Sequence, residues 1–350
     1  MEPSLLPSPP VGEGWPKARV GVIRRFMAYN FLEFEKPLAE LESRIEDLRL
    51  AAGGQVDAED EIKKLSKKAD ELREKIFSGL NAWQKTQVAR HQDRPNTEDY
   101  IELLTSGFTE MHGDRLFAED PAIIGGMAWF DGNPVVIIGH NKGRSTKDKI
   151  KRNFGWPHPE GYRKALRLME FAEKFNRPLI TFIDTAGAYP GIGAEERGQS
   201  EAIARNLLVM SGLKVPVIAV VIGEGGSGGA LAIGVANRVL MLEHAIYSVI
   251  SPEGCATILW KDGSKAPDAA ELLKLTAQDS LKMGIIDEII KEPVGGAHRD
   301  YELTAKNIDK ALKKHLADLK AMSPDELAAD RYGKFRAVGS FTTSPGAKNA

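Results

Sequence analysis

Glycine placement constrains this chain more than any other feature. Of its 34 glycines, 11 fall between Gly187 and Gly234. They gather in two segments that each follow an apolar run and lead into a helical pattern. The richer one reads Val220-Val221-Ile222-Gly223-Glu224-Gly225-Gly226-Ser227-Gly228-Gly229-Ala230. A corner without side chains lets backbone approach a ligand or another backbone closely, and permits positive φ. Three chemistries use such a corner. As Gly223-x-Gly225-x-x-Gly228, with Glu243 further on, it matches the dinucleotide fingerprint of an oxidoreductase. As Gly225-x-Ser227-x-Gly229, followed by Asp287 and His298, it matches a hydrolase nucleophile elbow. Read without side chains, it is a strand delivering backbone N–H groups into a helix N-terminus, an oxyanion hole.

The first two readings meet obstacles. A dinucleotide fingerprint belongs at the first strand of its domain, and a long α/β pattern precedes this one. Asp287 sits at the start of the apolar run Ile285–Ile290, where a surface carboxylate is ordinary, and His298 lies in the soft Gly295-Gly296-Ala297 segment. The third reading gains from the second glycine segment, Asp184-Thr185-Ala186-Gly187-Ala188-Tyr189-Pro190-Gly191, which also ends an apolar run and precedes a helix. Two such corners present amides that one oxygen anion can use.

The surrounding pattern is α/β. Runs at Ala122–Phe130, Pro134–His140, Pro178–Asp184, Val215–Ile222, Val239–Glu243 and Ile246–Ile250 read as strands, with another near Ile285–Lys291. Helical periodicity covers Gly161–Asn176, Ala194–Gly212 and Ser227–Ala236, and helices dominate beyond Pro252. Apolar strands alternating with helices are covered on both faces. Upstream, Leu38, Leu41, Ile45 and Leu48, then Ile62, Leu65, Ala69, Leu72 and Ile76, predict a helical hairpin broken at Ala51-Ala52-Gly53-Gly54, with Asp57 capping its second helix. Its apolar stripe must be buried against its own domain or a partner. The expected organisation is a disordered leader over 1–26, the hairpin over 27–93, an α/β domain with C-terminal helices over 94–332 and a flexible tail over 333–350. Met27 is an alternative translation start.

Composition excludes several classes. Lys and Arg number 47 against 49 Asp and Glu, without the basic excess of a nucleic-acid binder. One cysteine, Cys255, leaves no internal disulfide and no cysteine-based zinc module, and fits a reducing compartment. No apolar run reaches the roughly 18 residues of a membrane span. Among side chains, Lys142 and Arg144 follow a strand and can receive phosphate or carboxylate. Lys147–Arg163 adds basic residues with Phe154, Trp156 and Tyr162, a nucleotide-tail surface. His112 and Cys255 read as structural, the latter as buried filler.

Several segments together resemble a known family. Asn30-Phe31-Leu32-Glu33-Phe34-Glu35-Lys36-Pro37, Arg94-Pro95, Met111-His112-Gly113-Asp114-Arg115, the two glycine segments, Ala194-Glu195-Glu196-Arg197-Gly198-Gln199 and Ser251-Pro252-Glu253-Gly254-Cys255-Ala256 occur in the order and spacing of the alpha subunits of bacterial and plastid acetyl-coenzyme A carboxylase carboxyltransferases. The resemblance runs from about Asn30 to about Tyr332. Ala186 departs from it, standing where many members have proline.

The resemblance implies a crotonase-like fold of repeated ββα units. It implies a beta subunit as partner, two of each in a heterotetramer, a biotin carboxyl carrier protein and a biotin carboxylase. The reaction implied carries a carboxyl group from carboxybiotin to acetyl-CoA, forming malonyl-CoA, with zinc on the beta subunit only. In that frame Gly225, Gly226, Gly228 and Gly229 supply the hole facing biotin, and Gly187, Ala188 and Tyr189 line the cleft. Lys142 and Arg144 form a carrier or CoA surface, and no metal is held by this chain. The implied location is bacterial cytoplasm, with plastid stroma as the alternative. Two other classes stay open: a crotonase-type acyl-CoA hydratase or isomerase using Glu224 and Glu253, and a scaffold whose hairpin recruits partners.

Overall fold

The computed structural model describes residues 30–51 and 56–339. The chain divides after Phe31, and every described helix and strand belongs to the unit beginning at Leu32. The leader, the Ala52-Gly53-Gly54 break, the Asp57 side chain and the chain from Ser340 onward lie outside the described residues.

The hairpin is α1 (Lys36–Ala51) and α2 (Val56–Ser78). Leu38, Ile45 and Ala69 of the stripe are buried, while Leu41, Leu48, Ile62, Leu65, Leu72 and Ile76 are half-buried. The hairpin is fastened to its own chain: Arg299 pairs with Glu35 at 3.5 Å and Glu42 at 3.3 Å, and Phe77 meets His244 edge-on at 5.8 Å. Two short helices follow, α3 (Ala82–Ala89) and α4 (Thr97–Leu104). Asn81 and Asn96 cap them by accepting the N–H groups of Gln84 and of Glu98 and Asp99, which satisfies donors a helix start leaves open.

The sheet begins with β1 (Ser106–Glu110), β2 (Ile123–Phe130) and β3 (Asn133–His140), an antiparallel meander. Then come α5 (Thr146–Lys151), α6 (Pro159–Lys174), β4 (Leu179–Thr185), α7 (Ile192–Glu196), α8 (Gln199–Gly212), β5 (Val217–Gly226) and α9 (Ser227–Leu231). The rest is β6 (Arg238–Leu242), β7 (Ile246–Ser248), α10 (Pro252–Trp260), α11 (Ala266–Leu273), α12 (Ala277–Lys282), β8 (Glu288–Ile290), α13 (Tyr301–Lys320) and α14 (Pro324–Ala337). The sheet order is β1-β2-β3-β4-β5-β6-β8, parallel from β3 onward, with β7 also on β5. β4 and β5 are buried at every position, as central parallel strands must be.

Five details differ from the sequence reading. The helix expected over Ser227–Ala236 ends at Leu231, because the chain there tightens into i to i+3 turns, with Ile233 N–H bonded to the Ala230 carbonyl and Gly234 N–H to that of Leu231. β1 was not expected; it is a polar edge strand whose register shifts between Ser106 and Thr109. The helix expected over Ala194–Gly212 is two helices, because Gly198 adopts φ 82° and begins α8 afresh. β5 runs four residues past Ile222, since its lower half pairs with β6 and its last three residues pair with β7. The final helix continues through Ala337, past the limit at 332. No helix among the described residues is long and apolar enough to cross a membrane.

Candidate active site

β4 and β5 lie side by side and end together, with Thr185 opposite Gly225. The two glycine segments therefore leave the sheet at the same edge and meet backbone to backbone. A Cβ on Gly226 would stand 2.1 Å from the Ala186 carbonyl oxygen. One on Gly229 would stand 2.6 Å from the Gly187 carbonyl carbon, 2.7 Å from the Ala188 nitrogen and 3.0 Å from the Tyr162 hydroxyl. No side chain fits at either place, which is why this corner needs glycine. Ser227, between them, has φ 54°.

The amides of this corner are not equivalent. Gly225 lies inside the sheet, between Thr185 on one side and Tyr247 on the other, and Gly226 pairs with Ser248. Gly187 N–H donates to Thr185 Oγ1 at 3.1 Å, and Tyr189 N–H to the Pro157 carbonyl at 3.0 Å. α9 has no side-chain cap, so the N–H groups of its first turn, at Ser227 and Gly228, lack the partner a cap gives. Ser227, Gly228, Ala186, Ala188 and Tyr189 are half-buried, and Gly187 and Gly229 are buried. Ser227 and Gly228, half-buried at the uncapped start of α9, and the buried Gly225 and Gly226 within the sheet thus have different surroundings.

Beneath the corner sits a network of charges. Lys142 Nζ is 2.7 Å from Asp184 Oδ1 and 3.4 Å from Glu224 Oε2. Arg90, at the end of α3, holds Glu224 Oε1 at 2.7 Å and Glu253 Oε1 at 2.6 Å. Burial alone would raise the Glu224 pKa, but Lys142 and Arg90 hold it below the usual carboxylate value. Burial opposes charge on Lys142, yet Asp184 and Glu224 keep its pKa above the usual lysine value. Buried His140 accepts the Asp184 N–H at Nδ1, 3.3 Å away. Burial first and Lys142 second push its pKa down to about 3, so this imidazole is neutral.

The remaining sequence candidates have surroundings of their own. Arg144 pairs with Asp99, and its N–H donates to Asp148 at 3.0 Å. The Tyr189 ring lies 4.1 Å from His158. Phe154 is exposed, in a turn where Asn153, Phe154 and Gly155 all have positive φ. Asp287 accepts from Val239 N–H and Lys334, and His298 stacks on His91 at 3.8 Å. Both are thus engaged elsewhere, which removes the hydrolase triad. Glu243 is taken up by Lys291 at 2.6 Å. Glu224 and Glu253 share one guanidinium, an arrangement that keeps Glu224 ionised rather than poised to donate a proton as a hydratase needs. Cys255 is half-buried rather than buried, and His112 is exposed. Glu110, His112 and Glu119 place potential ligand atoms within 4.8 Å of one another, but Glu119 already accepts from Lys164 and from Gly113 N–H. Arg90 was not singled out in the sequence; an arginine ending a short helix carries no local signal.

The chain has the crotonase-like fold, with two touching glycine corners over a charged base at the end of its buried central strands. Among solved structures it is similar to the Pseudomonas malonate decarboxylase hetero-tetramer in complex with coenzyme A, with TM-score 0.55, 16% identity, and 67% of this chain and 91% of that one covered. It is also similar to the transcarboxylase 12S core, with TM-score 0.51, 18% identity, and 73% and 44% covered.

The family model for acetyl co-enzyme A carboxylase carboxyltransferase-like proteins matches residues 31–339, and the chain belongs to that family. A relative from Geobacter metallireducens named acetyl-coenzyme A carboxylase carboxyl transferase subunit alpha is 62% identical over 310 residues, 89% of this chain and 98% of the relative. One of the same name from Pseudoalteromonas atlantica is 60% identical over 316 residues, 89% and 99% of the two chains.

Proposed function

We propose that this chain is the alpha subunit of the carboxyltransferase component of an acetyl-CoA carboxylase. With a beta subunit it moves the carboxyl group of carboxybiotin, presented on a carrier protein, to acetyl-CoA. Cleavage of the N–C bond of carboxybiotin releases CO2 and leaves the electron pair on the ureido group, with charge on its oxygen. That anion takes a proton from the acetyl methyl group, and the resulting thioester enolate attacks CO2 to give malonyl-CoA. Both intermediates carry charge on oxygen, so the reaction calls for backbone donors and needs no side-chain nucleophile.

The observation that carries this reading is the backbone contact between the two glycine segments in a chain of this family. We assign the donors of this subunit to the Gly226–Gly229 turn, with Ser227 and Gly228 N–H facing the ureido oxygen. Gly187, Ala188 and Tyr189 form the facing wall. The beta subunit supplies the second hole, for the thioester, and any zinc. Two copies of each subunit form the working assembly, joined in turnover by the biotin carboxyl carrier protein and biotin carboxylase. Bacterial relatives and a single cysteine support a cytoplasmic location.

The test is reverse transfer from malonyl-CoA to a free biotin derivative, with the chain alone and mixed with its beta subunit. Activity only in the mixture is the expected result. Activity of the chain alone would overturn the division of donors between two subunits.

A further inference from the structure

Asp184 and Glu224 hold equivalent places in the two strand-to-helix corners: each is the last charged residue before its run of small residues. One lysine reaches both. Lys142, just past the end of β3, places Nζ 2.7 Å from Asp184 Oδ1 and 3.4 Å from Glu224 Oε2. The corners are also joined directly, since Glu224 N–H donates to Asp184 Oδ1 at 2.9 Å. The lysine stem is fixed by close packing, for a Cβ on Gly155 would come within 2.5 Å of Lys142 Cγ. Gly155 in turn accepts the Thr185 hydroxyl at 2.6 Å. Arg90 takes the other Glu224 oxygen, so among the described residues Lys142 is the one side chain bonded to the acids of both corners. Its own side chain is 23% exposed, and its charge is committed to those acids instead of to a ligand at the surface.

We propose that Lys142 is a positioning residue: by holding Asp184 and Glu224 together, its ammonium sets the separation of the Ala186–Ala188 and Gly226–Gly229 backbones. The place where their amides converge follows from that separation. This inference rests on the anion-binding role proposed for those amides. It assigns Lys142 a part different from the carrier or CoA surface expected from the sequence.

The test uses the complex with the beta subunit and two readouts. Lys142→Met keeps the stem and removes the charge. Lys142→Met combined with Asp184→Asn removes the charge from both sides, so a buried acid is not left unpaired should the single variant fold poorly. Hydrogen exchange is followed at 186–188 and 227–229, and reverse transfer is measured in parallel. Exchange at both segments is expected to rise about tenfold or more while the β4 and β5 interiors stay protected. Since a misplacement of about 1 Å costs on the order of 10²-fold in rate, kcat is expected to fall by about that factor. KM for malonyl-CoA is expected to change by less than about twofold, the mark of a geometric and not a binding loss. Unchanged exchange in both variants overturns the clamp, whatever the activity. Faster exchange with unchanged kcat upholds the clamp and overturns the anion-binding assignment of the amides. A raised KM with unchanged exchange and kcat overturns the positioning role in favour of direct substrate contact.

Discussion

Gly226→Ala is the smallest change that separates the two glycine corners. The added carbon would lie 2.1 Å from the Ala186 oxygen, 2.4 Å from its carbonyl carbon and 2.9 Å from its Cα. All three are backbone atoms, so no rotamer change relieves them. An ordinary carbon–oxygen contact needs about 3.3 Å, and the corners must therefore part by rather more than about 1 Å. Overpacking of that kind destabilises by about 1–3 kcal/mol. The larger effect falls on catalysis: a 1 Å misplacement costs on the order of 10²-fold, about 2.7 kcal/mol of barrier. The assay is reverse transfer by the purified complex, with thermal unfolding measured beside it and Gly212→Ala as control. A Cβ on Gly212 meets no atom within 4 Å, so the control should match the parent in both. A Gly226→Ala complex that assembles and keeps kcat within about threefold of the parent would show that the corners need not touch.

Three further outcomes rest on other buried groups. Arg94 pairs with Glu292 at 2.6 Å with almost no exposure of either side chain, so Arg94→Met should lower the unfolding free energy in urea by about 3–5 kcal/mol. Arg331, fully buried, donates to the carbonyls of Met210, Leu213 and Val215 and to Asn237. Arg331→Met strands these acceptors at about 1 kcal/mol or more each, which should lower Tm by several degrees and expose α14 to protease. Burial first, then neighbouring His91 and Arg94, hold His298 at about 2, and burial holds His140 at about 3. Below the unfolded value near 6.5 the unfolded chain binds protons that the folded one does not, so stability falls with pH by about 1 kcal/mol per unit per histidine. Asp120, raised by burial to about 6, acts in the opposite sense between 3.8 and 6. Comparing parent and His298→Asn urea midpoints at about pH 7.5 and about pH 5.5 isolates the histidine. An equal pH response in both proteins would contradict it.

Strands with a continuous apolar run were legible in the sequence because burial on both faces leaves no other pattern: β2 to β6 start and stop within a few residues of their runs. β1 was not, since Ser106–Glu110 is mostly polar and pairs only at the sheet edge. The extension of β5 through Gly226 was hidden for a different reason. Glycines are poor strand formers, and what keeps them extended is β7, a neighbour that only the tertiary fold supplies. The same holds for the site. Glycine spacing pointed to both corners, because close backbone approach has one sequence signature. The charges beneath them come from Arg90, Lys142, Asp184, Glu224 and Glu253, spread over more than 160 residues, and no local pattern joins them. Hence Lys142 read as a surface cation although it bonds two acids.

Central to the proposed chemistry is that backbone donors of the Gly226–Gly229 turn face the oxygen on which charge develops. A structure of the complex with the beta subunit, bound to a biotin derivative, measures that distance itself. The ureido oxygen is expected at about 2.7–3.1 Å from the N–H nitrogen of Ser227 or Gly228. A ureido oxygen beyond hydrogen-bond reach of every amide in 186–188 and 226–229 would contradict the assignment.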